Sequence, residues 1–250
     1  MLLVFQDDYG LAGFRKATGL KKTHPHLKVT LAIGGWNEGS QNYSLMARDQ
    51  SKRKMFAASA LSFIRRHNFD GLDLDWEYPG KRGGVPEDKK NFILLIKDLY
   101  KVFRPQNLML TAAIGASAAT IDAAYDIPEM YKYLDYVHVM CYDYHGKILS
   151  NILLLFICPA AGKWDKKTGH NAPLQARPGE SPEDQVLNVD YTWNYLLQLG
   201  AVPHKTVLGV PLYGRAFTLL DPTNSEMGAP AEETSFAVRF ILDCTSPVHI

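Results

Sequence analysis

The 250-residue chain has almost no excess of charge: 27 Lys and Arg stand against 26 Asp and Glu, a formal net charge of +1. A surface without a strong field of one sign cannot hold a phosphate backbone or an anionic bilayer, so neither nucleic acid nor membrane is expected as a partner. Cysteine is scarce. Cys141, Cys158 and Cys244 are odd in number and show no C-x-x-C spacing, which excludes a disulfide framework and a zinc site built on such pairs. Long hydrophobic runs are missing as well, because the apolar stretch from Ile148 to Ala160 falls well short of the roughly 18 residues of a membrane helix. The first residues, Met1 to Asp8, carry no basic segment, and their apolar stretch is shorter than the roughly 7 to 15 residues of a secretion signal, so no signal peptide is expected within this chain. There is no H-E-x-x-H, no G-x-S-x-G and no phosphate loop, so no metal, serine nucleophile or cofactor is expected.

Aromatic residues, by contrast, are plentiful, at 11% with 13 Tyr and 4 Trp. Flat amphipathic rings suit sugar faces as well as cores. Apolar runs bounded by turn residues alternate with helical patterns along the chain, which predicts an α/β fold with a parallel sheet. The expected strands are Leu27 to Ile33, Phe69 to Trp76, Leu108 to Ile114, Leu134 to Tyr142 and Thr206 to Leu212. Two amphipathic helices are expected between them, Lys52 to His67 with Phe56, Ala60, Phe63 and Ile64 on one face, and Glu87 to Phe103 with Phe92, Leu95, Ile96, Leu99 and Phe103. Basic clusters on the first of these, Lys52-Arg53-Lys54 and Arg65-Arg66-His67, are expected on solvated faces. A further helix is predicted to start at Ser181 as N-cap, with Pro182 at its first position, and to end before Gly200. The apolar run interrupts a polar, glycine-containing region, and residues 148–162 are expected to be an insertion into an otherwise regular pattern.

The strongest signal lies in Phe69-Asp70-Gly71-Leu72-Asp73-Leu74-Asp75-Trp76-Glu77-Tyr78-Pro79. Side chains alternate along a strand, so Asp73, Asp75 and Glu77 share one face while Leu72, Leu74 and Trp76 share the other. Acidic alternation suits a half-exposed antiparallel strand just as well, but the surrounding pattern predicts a sheet covered by helices. Three carboxylates crowded on a shielded face raise one another's pKa, which is how a carboxylic acid is kept protonated for catalysis. Glu77, the outermost, immediately precedes the Tyr78-Pro79-Gly80 turn, where a group at the C-terminal end of a strand would meet a substrate. The strand supplies no obvious second carboxylate at the roughly 5 to 5.5 Å spacing that an ordinary retaining glycosidase needs for its nucleophile.

This segment resembles the D-x-x-D-x-D-x-E signature of family 18 glycoside hydrolases, the chitinases and chitinase-like proteins, with an arthropod flavour. Leu31-Ala32-Ile33-Gly34-Gly35-Trp36 is similar to the family's strand ending in Gly-Gly-Trp, Met140-Cys141-Tyr142-Asp143 to its M-x-Y-D block, and Gly209-Val210-Pro211-Leu212-Tyr213-Gly214-Arg215-Ala216-Phe217 to its G-x-P-x-Y-G-R-x-F block. The resemblance implies a TIM (β/α)8 barrel of which this chain holds about strands 3 to 7. It implies a partial catalytic barrel over residues 1–237, interrupted at 148–162, with an unrelated tail at 238–250. It implies a secreted, monomeric hydrolase acting endo on chitin or chitooligosaccharides without a cofactor. Glu77 would protonate the glycosidic oxygen and then activate water, Asp75 would hold the acetamido N–H, Asp73 would share a proton with Asp75, and Tyr142 would fix the acetamido oxygen for attack. Trp36, Met140, Asp143, Tyr213 and Arg215 would line the sugar cleft, Trp36 at the mouth. The alternative is a non-catalytic carbohydrate-binding relative or an inactive fragment. Such relatives typically lack the acid, and Glu77 stands against that. A barrel left open exposes strand edges, so the 250-residue chain alone is expected to fold poorly and hydrolyse little. Asn42-Tyr43-Ser44 is a glycosylation sequon in keeping with secretion.

Overall fold

A computed structural model describes residues 12–145 and 166–231. The expected insertion at 148–162, the tail at 238–250 and the first residues, Met1 to Asp8, lie outside the described residues. Five strands, β1 Thr30–Gly34, β2 Gly71–Asp75, β3 Met109–Gly115, β4 Tyr136–Met140 and β5 Thr206–Leu208, form one sheet, and the described helices are α1 Gly13–Gly19, α2 Gln41–Ala47, α3 Gln50–His67, α4 Asp88–Phe103, α5 Ala118–Ala124, α6 Ile127–Tyr131 and α7 Val189–Gln198. Their order is β1-β2-β3-β4-β5, each beside its successor in sequence, and β1–β2 and β2–β3 pair in parallel. A doubly wound sheet reverses direction at a switch point; this one does not, and its winding is that of a (β/α)8 barrel. All five expected strands are present. The last is shorter than its apolar pattern, since Thr206–Leu208 ends before Val210 and Leu212, both of which are exposed.

The described residues divide into two compact units: 12–115, 119–139 and 196–207, and 116–118, 140–145, 166–195 and 208–231. In the first, Leu72, Leu74 and Trp76 are buried on the helix-covered face of the sheet, Trp76 stacking on Tyr43 of α2 (Gln41–Ala47) at 5.5 Å and meeting Phe92 of α4 (Asp88–Phe103) edge-on at 5.7 Å. The predicted inward residues of α4, Phe92, Leu95, Ile96, Leu99 and Phe103, are all buried. Helix α3 (Gln50–His67) begins where the Asp49 carboxylate accepts from Lys52 N at 3.1 Å and ends at Asn68, whose φ of 59° terminates the helix in the left-handed region. One of its basic residues breaks the expectation of a solvated face. Arg53 is buried, donating from Nε to Asp98 Oδ2 at 2.8 Å and from Nη1 to the Ala47 carbonyl at 2.7 Å.

The second unit holds the start of α7 (Val189–Gln198), later than the Ser181 start predicted for it. Ser181 does form a capping-type turn, accepting from Asp184 N at 3.4 Å and donating to Asp184 Oδ2 at 2.9 Å, but only turns follow it. The working cap is Asn188, whose Oδ1 accepts from Tyr191 N at 2.8 Å. Gly200 lies just past the helix end, with a φ of 94° that an L side chain rarely adopts.

Candidate active site

Strand β2 carries the carboxylates. Leu72 and Leu74 are buried while Asp73 and Asp75 alternate with them on the partly open face, as a period of two demands. Asp73 is the anchored member of the column. Its Oδ1 accepts from Thr111 Oγ1 of β3 at 2.5 Å and from His138 Nδ1 of β4 at 3.0 Å. The hydrogen bond to Asp73 outweighs burial and raises the His138 pKa above its ordinary value. Asp75 stands differently. Its Oδ1 is buried and makes no hydrogen bond among the described residues. Burial first, then the Glu77 charge, then the Asp73 charge push its pKa from 3.8 up to about 7. Asp73 and Asp75 thus interact as neighbouring charges.

Glu77 follows the strand end and is joined to Tyr78 by a cis peptide bond. It is 6% exposed, so the outermost acid is also the most enclosed of the three. The turn beyond it is tied down by side chains. Ser40 Oγ donates to the Tyr78 carbonyl at 2.8 Å and accepts from Trp76 Nε1 at 3.0 Å. The buried Asp88 carboxylate accepts from Val85 N at 2.8 Å, Gly80 N at 3.4 Å and Ser44 Oγ at 2.8 Å. Arg82 Nη1 donates to the carbonyls of Glu77 at 3.1 Å and Trp36 at 2.7 Å, and its guanidinium lies 3.4 Å above the Trp36 ring. The Trp36 ring is 7% exposed and covered by Arg82, because cation–π stacking and two carbonyl acceptors hold the arginine over it. The β1 end approaches closely: Gly35 N donates to the Asp75 carbonyl at 2.8 Å, and an ideal Cβ on Gly34 would lie 2.0 Å from that same oxygen.

In the other unit, the residues named from the M-x-Y-D and G-x-P-x-Y-G-R-x-F blocks come together. Arg215 donates to Asp143 Oδ1 from Nε at 2.8 Å and also from Nη2, and both side chains are largely buried. Asp143 has a φ of 58°, in the left-handed region. The Tyr142 and Tyr213 rings meet edge to face at 6.1 Å. Burial, then the Asp143 charge, pushes the Tyr213 phenol well above its usual range. Met140 ends β4 on the same alternation as His138, so it shares a strand face with a residue that bonds to the carboxylate column.

His138, Thr111, Arg82 and Asn171 were not singled out from sequence. For His138 the signal existed: in Tyr136-Val137-His138-Val139-Met140, period-two alternation places His138 with Met140 and opposite the buried valines. Thr111 needed the β2–β3 register, in which it sits opposite Asp73. Among the described residues no group of three or more His, Cys, Asp or Glu is arranged to hold a metal ion, and no helix is long and apolar enough to cross a membrane.

Comparison with known proteins agrees with this geometry. The model of the glycosyl hydrolases family 18 matches residues 2–243. A Drosophila melanogaster protein named probable chitinase 2 is 51% identical over 215 residues, which is 86% of this chain and 40% of that protein. The chain therefore spans well under half of that relative. Among solved structures, the Ostrinia furnacalis Group IV chitinase in complex with allosamidin matches with a TM-score of 0.79 and 41% identity over 88% of this chain and 56% of that one. Human YKL-39, described as a pseudo-chitinase with retained chitooligosaccharide binding properties, matches with a TM-score of 0.78 and 30% identity over 91% of this chain and 59% of that one. With the D-x-x-D-x-D-x-E column on a singly wound parallel sheet and a family match along nearly its whole length, this chain belongs to the glycosyl hydrolases family 18.

Proposed function

We propose that the protein hydrolyses β-1,4 linkages between N-acetylglucosamine units of chitin by a retaining, substrate-assisted mechanism. What supports this most is the Asp73–Asp75–Glu77 column at the end of β2, with Asp75 pushed up to about 7. Glu77 donates its proton to the glycosidic oxygen as the bond to the anomeric carbon breaks. The carbonyl oxygen of the substrate's own N-acetyl group forms the new bond to that carbon, giving an oxazolinium ion, so no second carboxylate is required. Asp75, with an unpartnered oxygen, takes the acetamido N–H and balances the cation that develops. Asp73, held by Thr111 and His138, keeps the negative charge beside Asp75 fixed and is the partner with which it shares a proton. Tyr142 donates its hydroxyl to the acetamido oxygen and holds it in line. Water then attacks the anomeric carbon, Glu77 takes its proton, and the configuration is retained. Asp143, Tyr213, Arg215, Met140 and Trp36 contact the sugars. By its membership of the chitinase family, we assign the protein to the extracellular space.

The test is release of soluble sugar from an N-acetylglucosamine oligomer by the purified chain, compared with Glu77→Gln. Slow release that falls at least about 100-fold in the variant assigns the acid. Release that persists in Glu77→Gln refutes the mechanism. Binding of the oligomer with no release from either protein places the chain with the carbohydrate-binding relatives.

A further inference from the structure

We propose that Asn171 is a positioning residue for the sugar site, locking the Tyr142–Asp143 and Tyr213–Arg215 segments into one rigid surface. This rests on the reading above that those segments bind an N-acetylated sugar. Both polar ends of the Asn171 carboxamide are in use. Its Oδ1 accepts from Asp143 N at 3.0 Å, and its Nδ2 donates to the Tyr213 carbonyl at 3.2 Å. Its own backbone carbonyl accepts from Tyr144 N at 3.1 Å. A primary amide places a donor and an acceptor on two separate atoms, so aspartate or leucine at this position could satisfy at most part of the clamp, and a serine hydroxyl would have to serve both partners from one oxygen.

The point of attachment matters. Asp143 has a φ of 58°, which a non-glycine residue keeps only where its surroundings hold it there. The Asn171 bond to its amide and the Arg215 bond to its carboxylate help to do that. Tyr142 directly precedes this residue, and Tyr142 N bonds to the Met140 carbonyl at 2.8 Å, so the direction of the Tyr142 ring follows from the backbone that Asn171 fixes. The segment bearing Asn171 also runs flush against its neighbour: an ideal Cβ on Gly169 would lie 2.4 Å from His145 Cγ. Gly169 lets the backbone come close, and Asn171 converts the closeness into a three-point attachment. A stabilising staple would serve the fold alone; a positioning residue acts on the sugar through Tyr142, and the two roles separate in a double-mutant cycle.

The experiment is titration of the 250-residue chain with an N-acetylglucosamine pentamer, followed by calorimetry, with melting temperatures measured alongside. Asn171→Ala weakens binding about tenfold, the equivalent of losing two hydrogen bonds of ordinary worth. Asn171→Asp keeps the acceptor for Asp143 N and loses the donor to Tyr213, so it falls between, at about threefold; being isosteric, it carries the test should the alanine variant fail to fold. In a Tyr142→Phe background the Asn171 substitutions have a smaller effect, because the hydroxyl being positioned is gone. Unchanged affinity in the Asn171 variants, or the same loss in both backgrounds, overturns the proposal. Failure of the unsubstituted chain to bind the pentamer overturns the sugar-binding reading, and the Asn171 role falls with it.

Discussion

The carboxylate column and the aromatic block are held in place by different means. Asp73, Asp75 and the backbone before Glu77 belong to a regular parallel sheet, where the β1–β2 and β2–β3 registers fix each residue against a named partner. Tyr142, Asp143, Tyr213 and Arg215 lie beyond the ends of β4 and β5, in backbone that no ladder supports. There the work falls to side chains: an arginine on an aspartate and an asparagine between two segments. Where no Cβ is barred, a ladder tolerates a change of side chain because its bonds are made by the main chain. A side-chain clamp does not, so single substitutions should reach function most directly in the second region and stability most directly in the first.

The largest structural effect is expected beneath the column. Trp76 is 1% exposed, and Trp76→Ala removes its packing on Tyr43 and Phe92 together with the bond to Ser40, for a loss of about 3 to 5 kcal/mol in chemical denaturation. A loss under about 1 kcal/mol would show that the outer face of β2 is not the core it is taken to be. The next effect tests the charge on the inner face. With Asp75 at 3.8 unfolded and raised to about 7 folded, the folded state binds the proton more tightly, so the stability this group contributes is full below about 4 and is lost as pH rises through about 7. Thermal unfolding of Asp75→Asn across that range should therefore gain on the unsubstituted protein as pH rises; parallel curves would mean that Asp75 titrates normally. The smallest effect sharpens the second region. Asn188→Ala should cost about 1 kcal/mol, as loss of a helix cap does, and Ser181→Ala less than half of that, since no helix follows it. Equal losses would restore Ser181 as the cap.

The same division explains what could be read from the sequence. The alternation of Asp73, Asp75 and Glu77 with Leu72, Leu74 and Trp76 declares both a strand and its two faces, and the apolar faces of α3 and α4 declare helices, because burial imposes a period on residue type. Four short blocks, each tied to a strand end, carried the family resemblance for the same reason. What escaped was the set of contacts between residues distant in sequence. Arg53 looks like one of three solvated cations until Asp98, 45 positions away, is seen beside it. Ser181 with Pro182 and Glu183 has every local mark of a helix start, yet the chain turns there and begins its helix at Val189, capped by Asn188. Nothing local announces that Arg82 will fold back over Trp36. Asn171 sits in a polar stretch without period, and its role exists only in three dimensions.

Gly34 has a consequence beyond its backbone freedom. With a φ of 120° and an ideal Cβ that would fall 2.0 Å from the Asp75 carbonyl oxygen, it leaves β1 and β2 in direct main-chain contact at the very residue whose acidity is tuned. The position of the Asp75 carboxyl is thereby gauged against its neighbour strand by the width of a single missing carbon, and a methyl group added at Gly34 would move the acid column without touching any of its side chains.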